Sequence, residues 1–456
     1  MEMKFPRALQ IFIFAGTFFV IFIARADPTN SLTWKNSIVS ADIKNEQLWP
    51  LLQDIAHKTG WRIFVEPGSV RTISVKFSKL AVGEALHQLL GDLNFALVPQ
   101  TNAPAQLYVF KTTMQNATRA VIVRAAPKHM PNELLVRVKP GTDIDALAKS
   151  LGAKIIGRDD KLGIYRLQFD DAAATDSALT QLKNDSDVLA VDYNYILDPP
   201  AVPQQVANAP LGPVSLKLNP STPNNPCDPV IGLIDTPVQS LGSTLDPFLE
   251  KSISVTGDSA PANSTGPTHG TAMAETILRA VSQSANGSSS VKILPVDVYG
   301  ASETTTSWNV ALGIQAAVNN GATVLNMSLG GTSDSAIVDD LIQQAQAKGI
   351  IIFAAAGNEP VNTPTYPAAI PGVNAVTALG APGQLASYAN YGSFVAMALP
   401  GASVVYLGSQ AYVVQGTSPA TAFATGIAAG TKSVNCDGWT QIESTMQKNF
   451  PVPAGK

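Results

Sequence analysis

The chain predicts an α/β protein in which a parallel-sheet domain, covered by helices on both faces, follows two small α+β domains. Three observations lead there. From Val230 onward, short continuous apolar strands alternate with helical patterns, as a sheet buried on both sides requires. Ahead of that region, residues 27–117 and 118–197 each alternate short strands with short amphipathic helices. Between the two, residues 198–229 are rich in proline and lose apolar periodicity, as an extended linker open to proteolytic nicking does. With 456 residues, the chain is also too long for one ordinary core.

Residues 1–26 are read apart from the fold. Lys4 and Arg7 precede the apolar run Ile11 to Ile23, and Ala24-Arg25-Ala26 follows, the parts of a secretory signal peptide cleaved after Ala26. The run is shorter than the ~20 residues of a spanning helix, so a soluble protein outside the cytoplasm is expected, in periplasm or medium. A net charge of −4, with 14% charged residues, gives no basic footprint for nucleic acid. The two cysteines, Cys227 and Cys436, leave open either a disulfide closing a long loop or two separate thiols, and no Cys/His metal spacing is present.

In the first domain, Ser37 to Ile43 reads as extended and Glu46 to Lys58 as a helix with Trp49, Leu51, Leu52 and Ile55 on one face. Pro50 belongs in its first turn. Trp61 to Val65 and Thr72 to Phe77 read as strands, Val82 to Leu93 as a second helix, and Phe95 to Val98 and Leu107 to Phe110 as further strands. The run Ile73 to Leu90 resembles the short N-terminal domain of secretins and TonB-dependent receptors. That resemblance implies a Gram-negative envelope setting and an envelope protein as docking partner.

In the second domain, Glu133 to Val138 is a strand, Pro140-Gly141 its turn, and Asp143 the cap of a helix through Leu147 to Leu151. Ile164 to Phe169, the helical Ala173 to Lys183 and the strand Val188 to Asn194 complete a ferredoxin-like order. Asn132 to Gly141 and Val188 to Tyr195 resemble the propeptide domain of subtilisin-like proteases, which implies folding against the enzyme with the last strand aimed at the cleft.

The third domain, 230–456, is organised around Gly416 to Gly430, whose nearly uniform small residues suit a helix packed too tightly for large side chains. Ser418 is expected at its start with Pro419 in the first helical position. Asp235 closes the strand Val230 to Ile234, and His269 stands just ahead of the helix Thr271 to Val281. Strand ends and helix starts are where open α/β sheets place their sites. A serine hydroxyl needs a base to become a nucleophile, imidazole titrates in the useful range, and a buried carboxylate fixes the imidazole. His269 is the only histidine beyond residue 200, so a histidine base in this domain has one candidate. Asn358, ending Phe353 to Asn358, can donate its amide to an oxyanion together with the Ser418 backbone. The alternative readings are an N-cap serine and a turn asparagine.

Ile-Asp-Thr at 234 to 236, His-Gly-Thr at 269 to 271, Ser-Leu-Gly-Gly at 328 to 331, Ala-Ala-Gly-Asn at 355 to 358 and Gly-Thr-Ser at 416 to 418 occur in the order of the subtilisin-like serine proteases. The domain resembles that family from Val230 to Gly430. The resemblance implies a secreted endopeptidase acting on protein or peptide substrates through Asp235, His269, Ser418 and Asn358, made as a zymogen with its own propeptide domain as partner. It further implies that Ser328, Leu329 and Gly330 pair with substrate and that Ala355, Ala356 and Gly357 wall the main specificity pocket, with Thr365 and Tyr366 near its floor. No cofactor is required for such catalysis, and no acidic cluster marks the calcium sites common in the family. Pro237, Ala272, Glu275, Pro419 and Ala422 depart from the usual pattern. A competing expectation is an envelope docking or signalling protein whose protease fold is a scaffold or cuts only itself.

Overall fold

The computed structural model describes residues 31–35, 38–69, 71–100, 104–121, 128–197, 200–206, 216–222, 227–257, 266–381 and 383–453. The expected signal peptide lies outside them. The chain forms two compact units, Met1–Arg124 and Ala125–Lys456.

The first unit contains β1 (Ser31–Lys35), β2 (Ile38–Gln47), α1 (Leu48–Thr59), β3 (Arg62–Val65), β4 (Thr72–Ala81), α2 (Val82–Leu90), β5 (Asn94–Val98), β6 (Gln106–Phe110) and β7 (Arg119–Val121). They make two sheets, β1-β2-β4 and β5-β6-β3-β7. Leu51, Leu52 and Ile55 of α1 and Leu86, Leu89 and Leu90 of α2 fill one core with Val39, Ile63 and Leu107, the faces that the helical periodicity marks. The strand β7 corrects the expected boundary after Ala117. Val121 pairs with Ile63 and is buried in this core, so the first domain runs at least to Val121.

The second unit opens with β8 (His129–Val138), α3 (Ile144–Ser150), β9 (Lys154–Asp159), β10 (Ile164–Gln168), α4 (Ala172–Leu182) and β11 (Val188–Leu197). Their antiparallel order, β11-β8-β10-β9, is that of a ferredoxin-like sheet. Asp143 accepts from the Ala146 amide at 3.0 Å and so caps α3 as expected, and Asp171 caps α4 through Ala174 at 2.8 Å. Sequence reading passed over β9 because it is an edge strand with no fully buried residue and hence a weak alternating signal.

The larger part follows with β12 (Gln204–Gln205), β13 (Asn219–Pro220), β14 (Val230–Asp235), β15 (Ile253–Ser254), α5 (His269–Ser284) and β16 (Ser288–Ser289). Next come β17 (Lys292–Asp297), β18 (Thr305–Thr306), α6 (Ser307–Asn319), β19 (Val324–Met327), α7 (Ala336–Ala347) and β20 (Ile351–Ala355). The chain closes with β21 (Asn374–Leu379), β22 (Met397–Pro400), β23 (Ala402–Leu407), β24 (Gln410–Gln415), α8 (Thr417–Asn435) and α9 (Trp439–Asn449). Seven strands form one parallel sheet in the order β15-β17-β14-β19-β20-β21-β22. One apolar cluster joins α5 and α8 to this sheet, and another joins α6 and α7 to it, as a sheet covered on both faces demands.

The small residues of α8 serve close approach. A Cβ on Gly426 would lie 2.4 Å from the Ile277 carbonyl oxygen, and one on Gly430 would strike Ser284 at 2.0 Å and Val281 at 3.2 Å. The linker expectation is corrected in part. Gln204 and Gln205 pair with β24, and Asn219 and Pro220 with β16, so two short stretches within residues 198–229 are strands paired to the large domain. Cys227 and Cys436 are joined in a disulfide across 209 residues of sequence, which decides between the two expectations for them. Chain-entropy reasoning assigns closure of so long a loop roughly 5 kcal/mol, near the top of the usual range. Replacing both cysteines by serine is therefore expected to lower the thermal unfolding midpoint of the second unit by several degrees, and an unchanged midpoint contradicts this.

Candidate active site

Asp235 is the last residue of β14 and His269 the first of α5. They meet because α5 starts hard against the strand end. A Cβ on Gly270 would lie 2.1 Å from the Thr236 carbonyl oxygen, so only glycine allows the approach. The Gly270 amide donates to Thr236 Oγ1 at 2.7 Å, and Thr268 caps the helix by accepting from Thr271. His269 Nδ1 lies 2.8 Å and 3.0 Å from the two carboxylate oxygens of Asp235. Both side chains are buried, and Asp235 also accepts from the Thr236 amide at 2.7 Å. The carboxylate thus holds one ring nitrogen and leaves Nε2, which is buried and without a hydrogen-bond partner.

Ser418 is the second residue of α8, and this corrects the expected helix start: α8 begins at Thr417, Gly416 is its N-cap, and Pro419 stands third. Gly416 is held at φ 146°, and a Cβ there would lie 3.1 Å from Asn358 Nδ2. Ser418 is not a capping serine. Its Oγ donates to the Ser328 carbonyl at 3.1 Å, while Ser328 Oγ donates to the Ser418 carbonyl at 3.1 Å. Its hydroxyl and His269 Nε2 are therefore not hydrogen-bonded to each other in this structure. The helices α5 and α8 run parallel with Gly426 against Ile277 and Gly430 against Val281, and the same pairing carried back two turns sets Ser418 level with His269. From the sheet, Leu233 pairs with Asn326, so Asp235 and Ser328 emerge together at its carboxyl edge. Rotation of Ser418 about χ1 releases its hydroxyl from the Ser328 carbonyl, and such bonds commonly tighten only when a reactant is bound.

Asn358 satisfies part of the turn reading and more besides. Its Oδ1 accepts from the Thr417 amide at 2.7 Å and from the Thr417 hydroxyl at 3.1 Å, which assigns the oxygen and turns Nδ2 outward beside Gly416. At the start of α8, the Thr417 amide is thereby occupied and Pro419 has none. The Ser418 amide, which has no intrahelical partner, is left as a second donor at the positive end of a 19-residue helix. Thr417, which sequence reading missed, also accepts from the Gly357 amide at 3.1 Å. Its only signal was its place between an N-cap glycine and the serine.

The residues expected to hold substrate are brought together around this point. A Cβ on Gly330 would meet the Tyr366 carbonyl oxygen at 3.1 Å, the Thr365 methyl at 3.2 Å and the Ala355 carbonyl oxygen at 3.8 Å. Ser328, Leu329, Ala355 and Ala356 are buried, and Gly330 and Gly357 are half-buried. Asn390, fully buried and also missed, donates to Thr365 Oγ1 at 3.0 Å and lies against Gly357. Behind the serine, Asn326 ties Ser328 to Thr425 of α8 with bonds of 2.9 Å each. The departures leave this geometry intact. Glu275, for one, is paired with Arg279 and accepts from the Tyr406 amide at 2.7 Å.

The second domain covers α6 and α7. Leu135, Ile164 and Leu197 share a core with Trp308, Val310 and Val338, and Trp308 packs against Gly157. Asn194, fully buried, accepts from the Trp308 amide at 3.2 Å at the start of α6 and donates to Glu133, which Arg166 also holds. Asp192 accepts from the Ser335 hydroxyl at 3.2 Å and the Ile337 amide at 3.4 Å, which caps α7, a helix whose own N-cap side chain makes no such bond. Arg137 pairs with Asp340 on the same helix. Burial pushes the Asp192 carboxyl up to about 6, with Asp334 adding repulsion, while the Ile337 and Ala336 amides and the Ser335 hydroxyl pull it back. Asp339 also rises to about 6 through burial and the charges of Asp334 and Asp192.

Comparison with known proteins gives the following. The subtilase family matches residues 228–449, and the fervidolysin N-terminal prodomain matches residues 115–194. The chain is 34% identical over 188 residues to subtilisin Savinase of Lederbergia lenta, a match covering 40% of this chain and 69% of that one. It is 34% identical to the M-protease of Shouchella clausii over 188 residues, 40% of this chain and 49% of the relative. It is 40% identical to a thermostable alkaline protease of Halalkalibacterium halodurans over 127 residues, 27% and 35% of the two chains. The chain thus spans about half or less of the last two relatives. The crystal structure of fervidolysin from Fervidobacterium pennivorans, a keratinolytic enzyme related to subtilisin, shares the fold with a TM-score of 0.56 at 19% identity, covering 71% of this chain and 57% of that chain. The subtilase match falls on the domain that carries Asp235, His269 and Ser418, and the chain covers 69% of Savinase at 34% identity; on that ground the chain belongs to the subtilase family.

Proposed function

We propose that this chain is a secreted serine endopeptidase, made as a zymogen, that hydrolyses peptide bonds through an acyl-enzyme. The observation that carries the reading is the buried Asp235–His269 pair, which leaves the other ring nitrogen of His269 buried and without a hydrogen-bond partner. His269 Nε2 takes the Ser418 proton as the hydroxyl attacks a peptide carbonyl, and Asp235 stabilises the imidazolium. Asn358 Nδ2 and the Ser418 amide receive the oxyanion. His269 then gives its proton to the leaving amine, and water repeats the cycle on the ester. This chemistry needs no cofactor. An extended substrate lies as an added strand along Ser328–Gly330, a mode in which main-chain bonds give affinity for many sequences, with Ala355–Gly357 walling its main pocket. The second domain acts as prodomain, supported by its fervidolysin prodomain match and its docking on α6 and α7.

The secretin-like pattern of the first domain supports a second role. Its β4–α2 run corresponds to Ile73 to Leu90 and suits a module that docks an envelope protein. This role adds to the peptidase reading, because the catalytic side chains are all present.

Ser418→Ala is expected to abolish both hydrolysis of a denatured protein and labelling by a fluorophosphonate. Asp235→Asn should lower kcat by about 10⁴. Asn358→Ala should lower it by ~10² to 10³ with little change in KM. Retention of hydrolysis by Ser418→Ala sinks the proposal.

Docking of the prodomain should depend on pH. Asp192 sits at about 6 when docked, against about 3.9 for a free carboxyl. An acid whose value is raised contributes stability that is fully present below the free value and lost as pH rises through about 6, and Asp339 acts in the same direction. In the uncut Ser418→Ala chain, Asp192→Asn should therefore raise the unfolding midpoint relative to its parent more at pH 8 than at pH 5. A difference independent of pH contradicts this.

A further inference from the structure

Two short segments are tied to the helix start that bears Ser418, and each carries a glycine. Ser328 exchanges hydrogen bonds of 3.1 Å with Ser418, and Gly330 follows two residues later. On the second segment, the Gly357 amide donates to Thr417 Oγ1 at 3.1 Å, next to the exposed Asn358. These glycines belong to the two walls of the main pocket in the function proposed above.

Thr365 stands between them. A Cβ on Gly330 would lie 3.2 Å from the Thr365 methyl, and one on Gly357 would lie 3.1 Å from the Thr365 hydroxyl oxygen. Its side chain therefore reaches from one wall to the other. Exposure falls inward along the second wall, from exposed Asn358 through half-buried Gly357 to Ala356, which is buried as Thr365 is. Thr365 thus closes the gap at its inner end.

The closure is held from both sides. Tyr366 and Gly331 exchange two backbone hydrogen bonds of 2.9 Å, and the Ala369 amide donates to the Thr365 carbonyl at 2.8 Å, so the floor is fastened to the first wall. Asn390, fully buried, fastens it to the second. Its backbone amide donates to the Gly357 carbonyl at 3.0 Å, and its carbonyl accepts from the Thr377 hydroxyl at 2.5 Å. From that fixed position its side-chain amide donates to Thr365 Oγ1 at 3.0 Å. With the hydroxyl kept on the Gly357 side, the stiff β-branched side chain keeps its methyl on the Gly330 side.

We propose that Thr365, positioned by Asn390, sets the size of the side chain accepted on the acyl side of the cut bond and limits it to Gly, Ala or Ser. An Ala or Ser side chain ends short of the threonine methyl. Leu, Tyr or Phe would have to displace a floor whose hydroxyl and backbone are both tied down, and close-packed groups yield to added volume only at a cost. A single methylene in an apolar pocket changes kcat/KM by about 10- to 200-fold, so the choice between Ala and Phe is steep.

This inference rests on the peptidase reading, and one set of measurements separates the two. Two peptide anilides that differ only in the residue before the anilide, Ala or Phe, are given to wild type, Thr365→Ser, Thr365→Gly and Asn390→Ala. Rates are counted per site titrated by a fluorophosphonate, which leaves misfolded protein out of the comparison. Wild type is expected to favour Ala over Phe in kcat/KM by at least about tenfold. The ratio should move toward Phe in Thr365→Ser and further in Thr365→Gly, and it should move the same way in Asn390→Ala, where the threonine is no longer held. Wild type is also given a denatured protein, and the new C-termini, identified by mass spectrometry, should be mostly Gly, Ala or Ser. A wild type that favours Phe, C-termini that are mostly Leu, Tyr or Phe, or a ratio unchanged in Thr365→Gly overturns the inference and leaves the peptidase reading standing. Wild type that takes no label and hydrolyses nothing removes both.

Discussion

Backbone contact between α5 and α8 is the constraint on which the site depends. Two parallel helices approach so closely at Gly426 and Gly430 that neither position has room for a Cβ, and their first turns deliver His269 and Ser418 to the same level at the sheet edge. Protein interiors are close-packed and do not deform smoothly, so a larger residue at either glycine displaces one helix against the other and separates the two reacting side chains. The glycine at 270 acts in the same way one step earlier, by letting α5 begin against the strand that ends in Asp235. Three side chains distant in sequence are positioned by what is absent from their neighbours.

Polar groups then fix orientation. Asp235 engages one nitrogen of His269, Asn326 and Thr425 hold Ser328 behind the serine, and Thr417 turns the Asn358 amide. The last arrangement gives Asn358 two roles at once. By accepting from the Thr417 amide it completes the start of α8, and that same bond leaves its own donor beside Gly416, two residues ahead of Ser418. A helix N-terminus with an unfilled donor and a side-chain amide beside it is a ready site for negative charge.

Much of this was legible in the residues. Continuous apolar strands announced the parallel sheet, the small residues of Gly416 to Gly430 announced the tight helix, and the single late histidine singled out His269. Helix starts were read less well. The Ser-Pro pair suggested a start at Ser418, but Asn358, far away in sequence, supplies the cap that lets α8 begin at Thr417. The edge strands β7 and β9 escaped because short or half-exposed strands carry little periodicity. Asp192 and Asn194 gave no sign of their role, since capping helices of another domain is a tertiary relation with no local pattern. The proline-rich run read as a loose linker because β12 and β13 are two-residue strands held by partners more than sixty residues away.

The central claim is that Ser418, His269 and Asn358 form one acyl-transfer centre. A crystal structure of the chain after reaction with a fluorophosphonate tests it directly. The account predicts phosphorus bonded to Ser418 Oγ, one phosphoryl oxygen about 2.7–3.1 Å from both Asn358 Nδ2 and the Ser418 amide, and His269 Nε2 turned to the Ser418 oxygen. A phosphonylated Ser418 whose phosphoryl oxygen points away from both donors, or label on another residue, would contradict it.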